Sequence, residues 1–152
     1  NDSLCERMPE DTFITFFLAY VDSCTGEMEY CCAGHDPPIL CSGESTVFLE
    51  EGGLVLGVVP GAVYSTGRVT VEKGGRLLLY TDGVTETMTP DEEPFGVKRL
   101  ETLVRKHCEQ SAGTLVETVG EIIESFRGGC DQIDDVTVVA MVRKKDTGGN
   151  DG

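Results

Sequence analysis

Apolar and polar positions along the 152-residue chain follow two different periods. Up to about Gly75 the apolar runs are short, rich in β-branched and aromatic residues, and cut by glycine and proline, which is the pattern of strands and turns. "TFITFFLAYVD" (Thr12 to Asp22), the turn "SCTGE" and "MEYCCA" predict a hairpin. "GHDPPIL" interrupts with a glycine and two prolines, and "STVFLE" and "LVLGVV" follow as short runs separated by "EGG". "YSTGRVTVE", "KGG" and "RLLLYTD" predict a second hairpin that reverses at Lys73, Gly74 and Gly75. In the last of these runs Leu77 and Leu79 share one face and Leu78 and Tyr80 the other, so the strand should be central and covered on both sides.

From Gly96 the period becomes helical. Val97, Leu100, Leu103, Val104 and His107 fall on one face, as do Leu115, Val119, Ile122, Ile123 and Phe126 of a second segment, and the two join near "EQSAG". A final strand, "VTVVAMV" (Val136 to Val142), follows "DQIDD". Strands first and helices afterwards predict an α+β domain with a mainly antiparallel sheet. Its expected extent is residues 1–143, with 144–152 a polar, glycine-containing tail expected to be disordered.

Length allows one domain with a real core, or part of one. With 12 Lys and Arg against 27 Asp and Glu, the net charge of −15 would repel a phosphate backbone, so no nucleic-acid partner is expected. The carboxylate surplus reads as solvated surface, with divalent-cation binding as the functional alternative. Cys5, Cys24, Cys31, Cys32, Cys41, Cys108 and Cys130 are odd in number and lack a CxxC pair, so they read as thiols of a reducing cytoplasm and not as a zinc site or disulfide framework. Phe13 to Val21, the longest apolar stretch, is under half of the roughly 20 residues a membrane span needs, so no membrane insertion of this segment is expected.

The candidate chemistry sits where apolar strands meet carboxylates. Asp82 follows a core strand directly, and Gly83 lets the chain turn sharply and a ligand come near the backbone. Asp134 and Asp135 immediately precede the final strand, and the two strand ends converge if their strands are neighbours. Hard oxygen ligands of this kind suit Mg²⁺ or Mn²⁺, although on pattern alone "TDG" and "DD" are also ordinary turn and cap residues. His35, in "AGHDPPIL", reads either as a general acid or base or as a residue that orders its loop. There is no P-loop, GxGxxG, GxSxG or HExxH.

In order and spacing, "TFITFFLAYVDSCTGEMEYCCAGHDPPIL", "GLVLGVVPGAVYSTGRVTVEKGGRLLLYTDGVTET", "EPFGVKRLETLV" and "DDVTVVAMV" resemble the SpoIIE-like branch of the metal-dependent Ser/Thr protein phosphatases, the PPM superfamily of the 2C type. The resemblance runs from about Thr12 to Val142. It implies an αββα sandwich with two Mn²⁺ or Mg²⁺ ions, Asp82 and Asp134 as metal ligands, and Gly83, Asp135 and His35 as neighbours of those ligands. No side chain would act as nucleophile, since a metal-activated water attacks the phosphoserine or phosphothreonine phosphorus. The substrate implied is a phosphorylated anti-anti-sigma factor of the STAS fold in a bacterial, cytoplasmic partner-switching pathway, and a dimer is compatible with the family. The family's first metal-binding motif, a Gly-Asp segment near "GGDFYD", is expected upstream of Asn1. The stretch would then be a C-terminal portion with an incomplete active site. The alternative is a non-catalytic interaction module of the same kind of pathway.

Overall fold

The computed structural model describes residues 1–9 and 11–145, so most of the expected tail lies outside the described residues. The described residues form two compact units, one within residues 1–38 and 48–70 and one within residues 39–47 and 71–145. In chain order the elements are α1 (Asp2–Cys5), β1 (Phe16–Val21), β2 (Glu27–Ala33), β3 (Ile39–Ser42), β4 (Ser45–Phe48), β5 (Gly52–Gly53), β6 (Gly67–Thr70), β7 (Arg76–Tyr80), α2 (Asp82–Thr85), α3 (Val97–Lys106), α4 (Ala112–Arg127) and β8 (Val138–Val142).

The first unit is organised on β2. β1 and β2 form the expected antiparallel hairpin, in register from Phe16 opposite Ala33 to Val21 opposite Met28. Asp22 turns the chain by accepting at Oδ1 from the backbone N–H groups of Cys24 (2.8 Å) and Thr25 (3.0 Å). The other edge of β2 is shared: β6 pairs antiparallel with Glu27 to Tyr30, and β5 pairs parallel with Cys32 and Ala33. β5 is formed by glycines expected to separate strands, because only a residue without a side chain fits there; a Cβ on Gly52 would lie 1.9 Å from the Cys32 carbonyl oxygen. The "LVLGVV" run contributes only an isolated bridge, Leu56 with Ile14.

The second unit carries a sheet in the order β4-β3-β7-β8. β7 is central, as its apolar faces predict, with Arg76, Leu77, Leu78 and Tyr80 buried. It pairs antiparallel with β3 through Leu78 opposite Ile39, and with β8 from Arg76 opposite Val142 to Tyr80 opposite Val138. Both helices form where the 3.6-residue period places them. α3 buries Leu100, Leu103 and Val104, and α4 buries Leu115, Val119 and Ile123. Ser111 caps α4 by accepting from the Thr114 N–H at 3.2 Å, and Gly128 ends it in the left-handed conformation.

Two expectations are corrected. The second hairpin does not form: β6 pairs with β2, whereas β7 enters the other sheet. With β3 and β8 on its two edges, β7 has no ladder left for β6. The "KGG" turn is instead held from beyond β8, where Gly74 N–H donates to the Arg143 carbonyl (2.7 Å) and Arg143 N–H to that of Gly75 (3.0 Å). The cysteines are also not all thiols, since Cys41 of β3 is disulfide-bonded to Cys108 beyond α3, with Cα atoms 6.2 Å apart. Spacing along the chain carried no sign of this pair, which is separated by 67 positions.

Leu78 is fully buried on the central strand, whereas Leu18 on β1 is 60% exposed. Leu78→Ala should lower unfolding free energy by about 2–5 kcal/mol, and Leu18→Ala by about 0.5 kcal/mol or less, in urea titrations of this chain.

Candidate metal centre

The site is built where β7 ends and β8 is about to begin. Antiparallel pairing sets Tyr80 opposite Val138, so the residues following one strand lie beside those preceding the other. Thr81 fastens these two ends. Its N–H donates to the Thr137 carbonyl (3.1 Å), its hydroxyl donates to the Asp135 carbonyl (2.8 Å), and its Oγ1 accepts from the Thr137 N–H (3.0 Å). The pattern "YTDG…DDVT" places Thr81 directly before Asp82 and Thr137 two positions after Asp135, a signal that points to the fastening only once the two strands are known to be neighbours.

Asp82 then opens the single-turn helix α2. Its backbone carbonyl accepts from the Glu86 N–H (2.8 Å) and the Thr85 hydroxyl (3.1 Å), and the Thr87 hydroxyl donates to the Gly83 carbonyl (2.7 Å). Gly83, Val84, Thr85 and Thr87 are buried, while Asp82, Asp134 and Asp135 are exposed. The carboxylates therefore stand in water on a rigid floor, which avoids the cost of burying a charge. Gly83 is required by close approach, since a Cβ there would lie 2.5 Å from the Asp135 carbonyl oxygen and 3.1 Å from that of Asp134. Asp82 uses Oδ1 to accept from the Gly83 N–H (2.9 Å), and Asp134 uses Oδ1 to accept from the Asp135 N–H (2.6 Å). Gln132 Nε2 donates to the Asp134 carbonyl (2.8 Å).

Of the residues singled out from sequence, Asp82, Gly83, Asp134 and Asp135 are thus gathered at neighbouring strand ends. His35 belongs to the other unit, in the loop after β2. There its Nδ1 lies 2.8 Å from the Asp36 carbonyl, and its own carbonyl accepts from the Cys32 thiol (3.0 Å), contacts that order the loop. Burial pushes the Cys32 thiol above its ordinary pKa, so it is not a reactive thiolate.

No group of three or more His, Cys, Asp or Glu is placed to hold a metal ion among the described residues. Two exposed carboxylates beside backbone carbonyls nevertheless form a hard oxygen set of the kind Mg²⁺ or Mn²⁺ accepts while retaining several waters. The donor chemistry fits one divalent ion held in part by this chain.

The family profile described as Stage II sporulation protein E (SpoIIE) matches residues 1–144. The chain belongs to the SpoIIE family. Phosphoserine phosphatase RsbU of Bacillus subtilis (strain 168) is 31% identical over 144 residues, which are 91% of this chain and 42% of RsbU. The fold agrees with that of the SiaA-PP2C domain of Pseudomonas aeruginosa, with a TM-score of 0.79 at 22% identity over 93% of this chain and 56% of that one. It also agrees with the phosphatase domain of the cell fate determinant SpoIIE from Bacillus subtilis, presoaked with manganese (TM-score 0.68, 14% identity, 88% of this chain and 58% of that one). The α+β architecture of antiparallel sheets with helices is thus that of PP2C domains. This SpoIIE-family chain spans less than half the length of the curated relatives it matches.

The Thr81 clamp and the Gly83 contact are separable by substitution. Thr81→Val should cost about 1 kcal/mol through the lost hydroxyl bonds, and Gly83→Ala about 1–3 kcal/mol through overpacking against Asp135, in denaturant titrations.

Proposed function

We propose that this chain is the C-terminal portion of a metal-dependent protein serine/threonine phosphatase domain, with Asp82 and Asp134 as metal ligands and Gly83 and Asp135 as their immediate support. The observation that carries the reading is the convergence of Asp82 with Asp134 and Asp135 at the joined ends of β7 and β8. Family membership and the likeness to RsbU, a phosphoserine phosphatase, support the reaction class. Divalent-metal dependence is supported by the donor set and by the manganese-soaked SpoIIE domain.

In this mechanism Asp82 and Asp134 would hold a divalent cation through their carboxylate oxygens, at two strand ends that Thr81 ties together. Gly83 keeps the floor free of side-chain bulk, and Asp135 braces it with its backbone carbonyl. A divalent cation supplies the Lewis acidity that makes water nucleophilic at neutral pH and offsets charge on the transferring phosphoryl group. No side chain of this stretch is assigned as nucleophile. His35, whose Nδ1 lies 2.8 Å from the Asp36 carbonyl, is given a loop-ordering role in this proposal.

The substrate in this reading is a phosphoserine or phosphothreonine on a regulatory protein, a STAS-type anti-anti-sigma factor of a bacterial partner-switching pathway. Ligands from a Gly-Asp segment of the kind found in the family would complete the site and hold a second divalent ion, and a dimer belongs to the same proposal. Among the described residues no helix is long and apolar enough to cross a membrane. A cytoplasmic setting belongs to the same proposal, and the Cys41–Cys108 bond is the feature that sits against it. A second reading, a non-catalytic module that binds such a partner, is favoured by one observation: among the described residues no group of three or more His, Cys, Asp or Glu is placed to hold a metal ion.

Phosphate release from a phosphoserine STAS-domain substrate decides between them, measured with and without Mn²⁺ for this chain and for a version extended upstream through a Gly-Asp motif. The extended protein should turn over only with metal, and Asp82→Asn should reduce its rate by at least roughly 100-fold. Full activity of that variant would remove Asp82 from the site. Inactivity of the extended, folded protein together with substrate binding would establish the interaction module instead.

A further inference from the structure

The charge of −15 is not evenly spread. Within the ten residues of α3, "VKRLETLVRK", stand Lys98, Arg99, Arg105 and Lys106 against a single acid, Glu101. One helix thus holds four of the chain's 12 Lys and Arg. Arg105 and Lys106 lie in the last turn, where cations complement the helix dipole, but Lys98 and Arg99 lie in the first, where they oppose it. Arg99 has a local use: it pairs with Glu93, donates to the Pro94 and Phe95 carbonyls (2.8 and 3.0 Å), and stacks 5.3 Å from the Phe126 ring centre. Lys98 has none of this. No described carboxylate forms an ion pair with Lys98, Arg105 or Lys106, and all three are exposed.

Lys98, Arg99 and Lys106 border an apolar groove that Arg105 does not line. It has a volume of about 440 Å³, with Phe95, Leu103 and Ile122 at its floor and Lys98, Lys106 and His107 at its rim. Lys98, Thr102 and Lys106 follow each other at four-residue steps, and Arg99, Leu103 and His107 form the adjacent row. The groove therefore runs along α3 and is floored from α3, α4 and Phe95, and Lys98 and Lys106, eight residues apart on the helix, are separated by about 12 Å.

We propose that this groove on α3 is a docking site for an acidic amphipathic helix of a partner protein. Ridge-and-groove relief along a helix is what a second helix packs into, with apolar side chains at i, i+3, i+4 and i+7 entering the floor. Carboxylates flanking those anchors meet Lys98 and Lys106. Among the described residues this is the one strongly cationic helix, in a chain whose net charge repels acidic partners elsewhere, so the charge selects where such a partner can land. A phosphate-backbone ligand would meet the same cations but has no use for the apolar floor, and the surrounding negative charge opposes it. The proposal stands on α3 and α4 alone and does not depend on the metal-centre reading.

The test is fluorescence anisotropy with the full chain and a labelled peptide of about 14 residues, long enough to be helical when bound, carrying Leu at the anchor positions and Glu beside them. The same peptide with Lys in place of Glu, and a single-stranded oligonucleotide, serve as the other probes. The Glu peptide should bind at least about tenfold more tightly than either, and more weakly as salt is raised. The double substitution Lys98→Glu with Lys106→Glu should weaken it by about tenfold or more, and Thr102→Trp, which fills the exposed groove, should also weaken it. Both variants alter exposed positions, and unchanged circular dichroism confirms that they fold. Equal binding of the Glu and Lys peptides, unchanged affinity in the double variant, or tighter binding of the oligonucleotide would each overturn the proposal.

Discussion

The structure of the second unit depends on β7 having both edges hydrogen-bonded and both faces covered. All five residues, Arg76 to Tyr80, pair with β8 on one side, and Arg76, Leu77 and Leu78 also pair with β3 on the other. Pairing on both edges fixes the strand in register, and a one-residue slip would exchange its faces and move Thr81 off its contacts. The position of Asp82 is inherited from this register. So is that of Asp134 and Asp135, because β8 is the strand that delivers them.

The same constraint explains why the floor of the site is so tightly specified while its carboxylates are not. Gly83, Val84, Thr85 and Thr87 are buried and bonded, and the Thr81 hydroxyl serves two backbone groups of the opposite segment. The aspartates use Oδ1 on their own neighbours' N–H groups and otherwise face solvent. Exposed like charges repel weakly in water, so three carboxylates at two strand ends are tolerable without an ion. A cation would convert that mild repulsion into attraction.

Glycine marks the places where backbone approaches backbone or ring too closely for a side chain. Gly52 meets the Cys32 carbonyl, Gly67 meets the Tyr30 ring at 2.3 Å from its would-be Cβ, and Gly83 meets Asp135. Gly52 was legible only as punctuation between apolar runs, and its pairing with β2 shows that the same residue type can end a strand or permit one. Charge is distributed with similar locality. An acidic chain confines a third of its Lys and Arg, four of 12, to one helix, and total charge alone conceals this.

What the sequence determined by itself was local. Periods of two and 3.6 residues placed β1, β2, α3 and α4, the apolar faces of Leu77 to Tyr80 made β7 central, and carboxylates at the mouths of two apolar runs marked Asp82, Asp134 and Asp135 as candidates. Tertiary structure alone decided which strands became neighbours. It separated β6 from β7 although only five residues, Val71 to Gly75, join them, brought Cys41 to Cys108, gave Thr81 its partners across 54 and 56 positions, and left His35 in a loop of the other unit. The reason is physical. Periodicity records which face of an element is buried, whereas pairing is settled by competition among all strands for the same edges, a property of the whole chain that no local window contains.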